Sequence, residues 1–219
     1  MKSMRKPLIV LAAFAVAIEI FAGCATTRVK PVQKTEVLDD KGAAFGIQPP
    51  EWVTAYLAQN NTGVEKLSAY KDKYCFVVAK NDASRDFAVA WVQNASGPQA
   101  IAAKISTTVV ASVSNSLSGE KGGNVEENIK AAAEQLSNAS FNGATKESDW
   151  WQIVRNKATN VQECRAYALW VINRKQLDQQ VAANLQNIVD KNAAMSAAER
   201  AIYADLISQI RSSGGIFND

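Results

Sequence analysis

The chain contains no histidine among its 219 residues, and it has only three cysteines. Without histidine, the usual serine–histidine–aspartate and cysteine–histidine mechanisms are excluded, and so are metal sites built on imidazole. Three cysteines are too few for a four-cysteine zinc site. The sequence also lacks the P-loop, EF-hand and HExxH motifs. We therefore predict a protein that is not an enzyme and that carries neither a metal nor a cofactor.

Long hydrophobic runs are absent apart from one near the N-terminus. Residues 7–18 form that run, with the basic residues Lys2, Arg5 and Lys6 before it and Phe21-Ala-Gly-Cys24 shortly after it. A basic flank, a short apolar stretch and small residues before a cleavage site are the three parts of a secretory signal. The run is short for a membrane span, because spanning takes ~20 apolar residues. We predict a signal peptide over residues 1–23.

The segment Phe21-Ala-Gly-Cys24 resembles the lipobox of bacterial lipoproteins, which is usually Leu-Ala-Gly-Cys. The resemblance implies that the sulfur of Cys24 receives a diacylglyceryl group, and that the amino group freed by cleavage is acylated. Two or more acyl chains anchor a protein stably, at ~0.8 kcal/mol per buried methylene. The alternatives are an ordinary cleaved signal or an uncleaved anchor, with Cys24 a bystander in both. Alanine rather than aspartate at position 25 favours the outer membrane.

The composition of the mature chain gives little sign of charged partners. Cleavage before Cys24 leaves 196 residues, and it removes three of the 24 basic and one of the 21 acidic residues, so the formal charge becomes +1. Nucleic-acid binding normally needs a basic patch or stripe, so we predict no nucleic-acid partner. The mature chain is long enough for one good hydrophobic core.

Hydrophobic periodicity predicts an α+β fold, in which amphipathic helices pack on a small, mainly antiparallel sheet of about three strands. We assign residues 24–48 to the lipidated cysteine and a flexible tether, 49–212 to a single domain with an extra C-terminal helix, and 213–219 to a frayed tail. The predicted strands are 74–80, 148–155 and 163–173. The predicted helices begin near Glu51, after Ser84 or Asp82, after Pro98, Asn124 and Gln176, and after Ser196.

Two helices have residues that form a capping box, in which a first-turn glutamate reaches back to the start of the helix: Asn124 with Glu127, and Ser196 with Glu199. The helix after Ser84 carries its apolar residues on one face. These residues are Phe87, Ala88, Trp91, Val92 and Ala95.

Three segments of the body resemble the Lpp-twenty family of bacterial envelope lipoproteins. They are Pro50-Glu-Trp-Val53, the alanine-rich helical stretch 83–117 that follows a strand, and the strand 163–174 that leads into the helix near Gln176. The likeness spans about residues 50–190. The break at Gly97-Pro98 and the helix after Ser196 depart from it. The resemblance implies an envelope protein, in some members linked to flagellar assembly, that oligomerises or binds other envelope components. It brings no catalytic residues.

The cysteines of the body, Cys75 and Cys164, lie in predicted strands. Secretion would bring them to a compartment where disulfides form. They are either a bonded pair or two buried free thiols, and the sequence leaves both readings open.

Trp150-Trp151 is a candidate interaction surface. In a strand, one of these neighbours faces the core and the other faces away from it. The plainer interpretation is that a helix covers the second one. The acid pairs Asp39-Asp40 and Glu126-Glu127 could serve a glycosidase only if the carboxyl groups flanked a sugar, so we interpret them as solvated surface.

Three functions follow from these features, in descending order. The first is a non-enzymatic lipoprotein of the outer membrane or periplasm that binds other envelope proteins or itself. The second is a lipid-anchored protein that binds a small molecule or cell-wall glycan, because aromatic residues lie near the strands. The third, far behind, is a carboxylate-based hydrolase.

Overall fold

The computed structural model describes residues 34–117 and 124–217. The predicted signal peptide and the predicted lipidation site Cys24 therefore lie outside the described residues. Within them, the α+β prediction is confirmed: six α-helices accompany one antiparallel sheet of four strands.

The strands are β1 (Thr35–Asp40), β2 (Lys73–Asp82), β3 (Thr145–Asn156) and β4 (Gln162–Asn173), and they lie in the sheet in the order β1-β3-β4-β2. The helices are α1 (Glu51–Glu65), α2 (Arg85–Asn94), α3 (Gly97–Ser116), α4 (Val125–Ser137), α5 (Arg174–Lys191) and α6 (Ala197–Gln209).

One strand lies in the segment that we assigned to the tether. Thr35–Asp40 pairs with β3, with Val37 opposite Val154. The tether prediction for residues 24–48 is therefore wrong from Thr35 onward. The polar composition of this segment hid the strand, because an edge strand with one partner buries few side chains.

The central strand β4 is apolar on both faces, as a strand covered on both sides must be. Its residues Tyr167, Leu169 and Val171 face α1, in a cluster with Trp52 and Val53. The alternate residues face the remaining helices, where Ile172 joins the largest core cluster. That cluster includes the buried stripe of α3, namely Ile101, Ile105, Val109 and Val113.

Side-chain caps begin several helices. Ser84 and Ser96 accept hydrogen bonds from the first turns of α2 and α3, and Ser196 with Glu199 forms the predicted capping box of α6. Asn124 precedes α4 but its side chain makes no capping bond, so the predicted box with Glu127 is wrong.

The C-terminal segment is packed as far as Phe217, and the prediction of a frayed tail over residues 213–219 is wrong for this part. Ile216 is buried in the main cluster, and its N–H donates to Asp178 Oδ1 at 3.0 Å. The ring of Phe217 meets Tyr74 edge-on, with centroids 5.1 Å apart. Two apolar residues at the end of a polar stretch are too short a signal for periodicity to detect.

Candidate interaction site at the edge of the sheet

One half of the edge strand β2 is covered by side chains of α1. Cys75 N–H donates to Glu65 Oε1 at 3.0 Å, and Val77 N–H donates to Asn61 Oδ1 at 3.1 Å. A kink in α1 positions these acceptors: Asn60 has φ 55°, in the region that few side chains adopt. Glu65 also forms an ion pair with Arg174, which fixes its carboxylate. The first half of the edge thus has hydrogen-bond acceptors supplied from within the fold.

The other half of β2 has no such cover among the described residues. Backbone N–H groups alternate in direction along a strand. Since those of Cys75 and Val77 point away from β4, those of Ala79 and Asn81 do so too, and no other strand pairs with β2 on that side. Both residues are exposed. An unpaired edge of this kind is a template for another strand.

Two aromatic side chains of α2 lie beside this open edge. Phe87 is 52% exposed and Trp91 is 43% exposed. The ammonium group of Lys80 on β2 lies 5.4 Å from the ring centroid of Phe87 and 6.0 Å from that of Trp91. At these distances the cation is attracted to the ring faces. Lys80 therefore connects the aromatic pair to the strand edge.

The aromatic pair lines an open groove of about 690 Å³ between β2, α2 and the start of α3. Its wall includes Val78, and it also carries the amides of Asn94 and Gln99. Trp170 and Gly97 set the position of α3 here, because the glycine lies against the indole: a Cβ on Gly97 would be 2.0 Å from Trp170 Cδ2. We call the open half of β2 together with Phe87 and Trp91 the edge site.

Sequence reasoning placed Phe87 and Trp91 on the apolar face of α2, and the structure corrects this. Ala88 and Val92 are the residues of α2 that are buried against β4. Phe87 and Trp91 lie one position back, about 100° around the helix, and this rotation turns them outward. The sequence does contain a sign that some of these residues are exposed. Phe87 and Trp91 next to Ala88 and Val92 make an apolar stripe wider than a helix of this length can bury.

Cys75 and Cys164 are buried free thiols, which is the second of the two readings that the sequence left open. Cys75 pairs with Val171 and Cys164 with Asp82, so seven residues of the β2–β4 ladder separate them. That is about 23 Å along a strand, far beyond disulfide range. Burial raises the pKa of the Cys75 thiol to about 12, and burial also raises that of Cys164. Neither thiol is a reactive nucleophile.

The two tryptophans of the sequence candidate lie on opposite faces of the sheet. Trp150 is 4% exposed and belongs to the cluster under α1. Trp151 is half-buried beside α2, where the Arg85 guanidinium lies 5.3 Å from its ring. The plainer interpretation, in which both rings are covered, fits these positions. Trp151 lies on β3, which β4 separates from β2, so it belongs to the packing beside α2 and not to the edge site.

The acid pairs make no site where the structure describes them. Asp39 Oδ1 accepts a hydrogen bond from the N–H of Asp40, and Asp40 Oδ1 accepts one from the N–H of Gly42 in the turn after β1. Glu126 and Glu127 are exposed in the first turn of α4, where negative charge favours the helix dipole. Across residues 34–117 and 124–217, no group of histidine, cysteine, aspartate and glutamate is arranged to hold a metal ion.

Comparisons of the chain with family models, curated proteins and solved structures gave no match. The resemblance to the Lpp-twenty family stays a prediction. Among the described helices, none is long and apolar enough to cross a membrane.

Proposed function

We propose that this chain is a non-enzymatic lipoprotein of the bacterial envelope, anchored to the outer membrane through Cys24, whose body binds other proteins. The observation that carries the binding role is the edge site, where Phe87 and Trp91 lie exposed beside an unpaired strand. Aromatic side chains are enriched at protein–protein contacts because they bury large areas with little loss of conformational freedom.

The anchoring role is supported by the N-terminal sequence. A basic flank, an apolar run and Phe21-Ala-Gly-Cys24 stand in the order that lipoprotein export requires. Packing of the body from Thr35 leaves the ten residues 25–34 between the lipid and the first strand. Fully extended, such a segment spans at most about 35 Å, so the lipid would hold the body close to the membrane.

Detergent partitioning tests this function in the cells that make the protein. The wild-type chain should enter the detergent phase, and Cys24→Ala should move to the aqueous phase or stay as an unprocessed precursor. Cys164→Ala is the matched control, since it removes a buried cysteine that no lipid occupies, and it should partition like the wild type. Equal partitioning of the wild type and Cys24→Ala would exclude the lipid anchor.

A second function, binding of a cell-wall glycan or another small molecule, is favoured by one feature of the groove. The rings of Phe87 and Trp91 share it with the amides of Asn94 and Gln99, and rings with nearby amides can stack on and hydrogen-bond a sugar. Soluble glycan fragments should then raise the melting temperature of the wild type and leave that of Trp91→Ala unchanged. No shift for the wild type would remove this candidate.

A further inference from the structure

We infer that the partner at the edge site is a second copy of this chain, paired antiparallel through the open half of β2. The inference deepens the proposed binding role and names its partner. The pairing would join two four-stranded sheets into one sheet of eight strands.

The free backbone groups restrict how two copies can pair. Ala79 and Asn81 direct their N–H groups outward, whereas those of Cys75 and Val77 are already bonded to α1. In an antiparallel pair, directly opposed side chains lie on the same face of the sheet. A two-fold axis between two copies of β2 must therefore lie at a residue that pairs with its own counterpart in the other copy. The axis can therefore lie at Ala79, Lys80 or Asn81.

Charge excludes one of these three positions, and the hydrogen bond between Asn61 and Val77 excludes another. An axis at Lys80 places two lysines opposite each other, which is unfavourable. An axis at Ala79 brings Val77, whose N–H is engaged by Asn61, into the ladder. An axis at Asn81 places Lys80 opposite Asp82 of the other copy, twice by symmetry. Within one chain Lys80 Nζ already lies 4.0 Å from Asp82 Oδ2, so this register joins two such pairs into a cluster of four alternating charges.

The aromatic pair completes this interface. Lys80 lies below the rings of Phe87 and Trp91. Adjacent strands are about 4.8 Å apart, so the axis at Asn81 brings the rings of the two copies to the same side of the joined sheet, next to each other. Burial of these rings would supply the apolar centre of the contact, with the charge pairs at its margin.

Cysteine cross-linking on intact membranes tests the register. Directly opposed, hydrogen-bonded residues have Cα atoms ~5.5 Å apart, which suits a disulfide. Oxidation should therefore convert most of the Asn81→Cys chain to a species of twice the monomer mass. Val37→Cys is the matched control on β1, the other edge of the sheet, where the side chain is 54% exposed, and it should stay monomeric.

A charge reversal tests the same contact. In the Asn81→Cys background, Lys80→Glu places two carboxylates opposite each other and should sharply reduce the cross-linked fraction. Lys130→Glu reverses an exposed charge on α4, and it should leave that fraction unchanged.

Monomeric Asn81→Cys, cross-linking of it to a different protein, or dimers from Val37→Cys instead would each overturn the inference. So would a cross-linked fraction that Lys80→Glu does not lower. The same oxidation of Asn81→Cys in a Cys24→Ala background tests pairing separately from anchoring. Dimers in that background support pairing even if the lipid anchor is wrong. If dimers form only when Cys24 is present, the body does not pair by itself and the inference fails.

Discussion

Gly97 is a residue whose missing side chain determines how closely α3 approaches the sheet. Replacement by alanine would put a Cβ 2.0 Å from Trp170 Cδ2, so the indole or the start of α3 must move. We expect Gly97→Ala to lower the free energy of unfolding by about 1–3 kcal/mol, the usual effect of overpacking. Urea denaturation measures it. Gln99→Ala, an exposed change in the same helical turn, should have little effect, and equal stability of both variants would contradict the packing described.

Asp178 predicts a pH dependence. Burial raises the pKa of its carboxyl above 3.8, although hydrogen bonds from the Ile216 N–H and the Tyr74 hydroxyl offset part of the rise. A raised pKa means that the folded chain holds the proton more tightly than the unfolded chain, so ionisation of Asp178 opposes folding as pH rises through the folded pKa.

The free energy of unfolding of the wild type, relative to Asp178→Asn, should therefore fall as pH rises from below 3.8 to neutrality. Chemical denaturation at several pH values checks this. Asn187→Ala, an exposed change on the same helix that removes no carboxyl, is the control and should leave the pH dependence of the wild type unchanged. If the wild type instead became more stable relative to Asp178→Asn as pH rises, the raised pKa of Asp178 would be contradicted.

At this scale the sequence predicted the cap Ser196 correctly and gave Ser84 as one of two candidates for α2, because a cap depends on a few neighbouring residues. It did not predict which aromatics of α2 are exposed. That depends on how far α2 is rotated over β4, and contacts between distant residues determine the rotation.

At the scale of elements, the kink in α1 matters because it turns Asn61 toward the edge of β2. Asn61→Ala removes the acceptor for Val77 N–H. We expect a loss of about 0.5–1.5 kcal/mol in the free energy of unfolding, the usual net value of such a hydrogen bond. Asn187→Ala, exposed on α5, is the control and should stay within about 0.5 kcal/mol of the wild type.

If Asn61→Ala is as stable as the control, the side chain does not cap the edge. Amide hydrogen exchange gives a local reading of the same contact: exchange at Val77 should accelerate in Asn61→Ala and stay slow in Asn187→Ala.

Most elements were predictable from the sequence, but one strand and the packed C-terminal segment were not. The helices and the strands β2 to β4 have clear periodicity, and β4 was expected to be central because both its faces are apolar. The strand β1 and the packed segment at Ile216 lack such a pattern. Their positions depend on pairing with β3 and on contacts with Tyr74 and Asp178, which are remote in the chain.

At the scale of the whole molecule, the described body carries an open half-edge on β2 beside two exposed rings, and the proposed lipid on Cys24 would tether this body to the membrane. The edge cover by α1 and the exposed rings of α2 divide β2 into a closed half and an available half. The sequence predicted the fold class correctly but not the edge site, because residues of β2 and α2 form that site only after the sheet has formed. The lipid anchor stays a prediction.

The lipid anchor is tested by the intact mass of the protein extracted from membranes, together with a count of its thiols in denaturant. We expect a chain that begins at Cys24 and carries acyl groups, with two reactive thiols, Cys75 and Cys164, after unfolding. An unmodified chain that retains Cys24 with a third reactive thiol would contradict the lipid anchor, and with it the proposal that this protein works at the membrane.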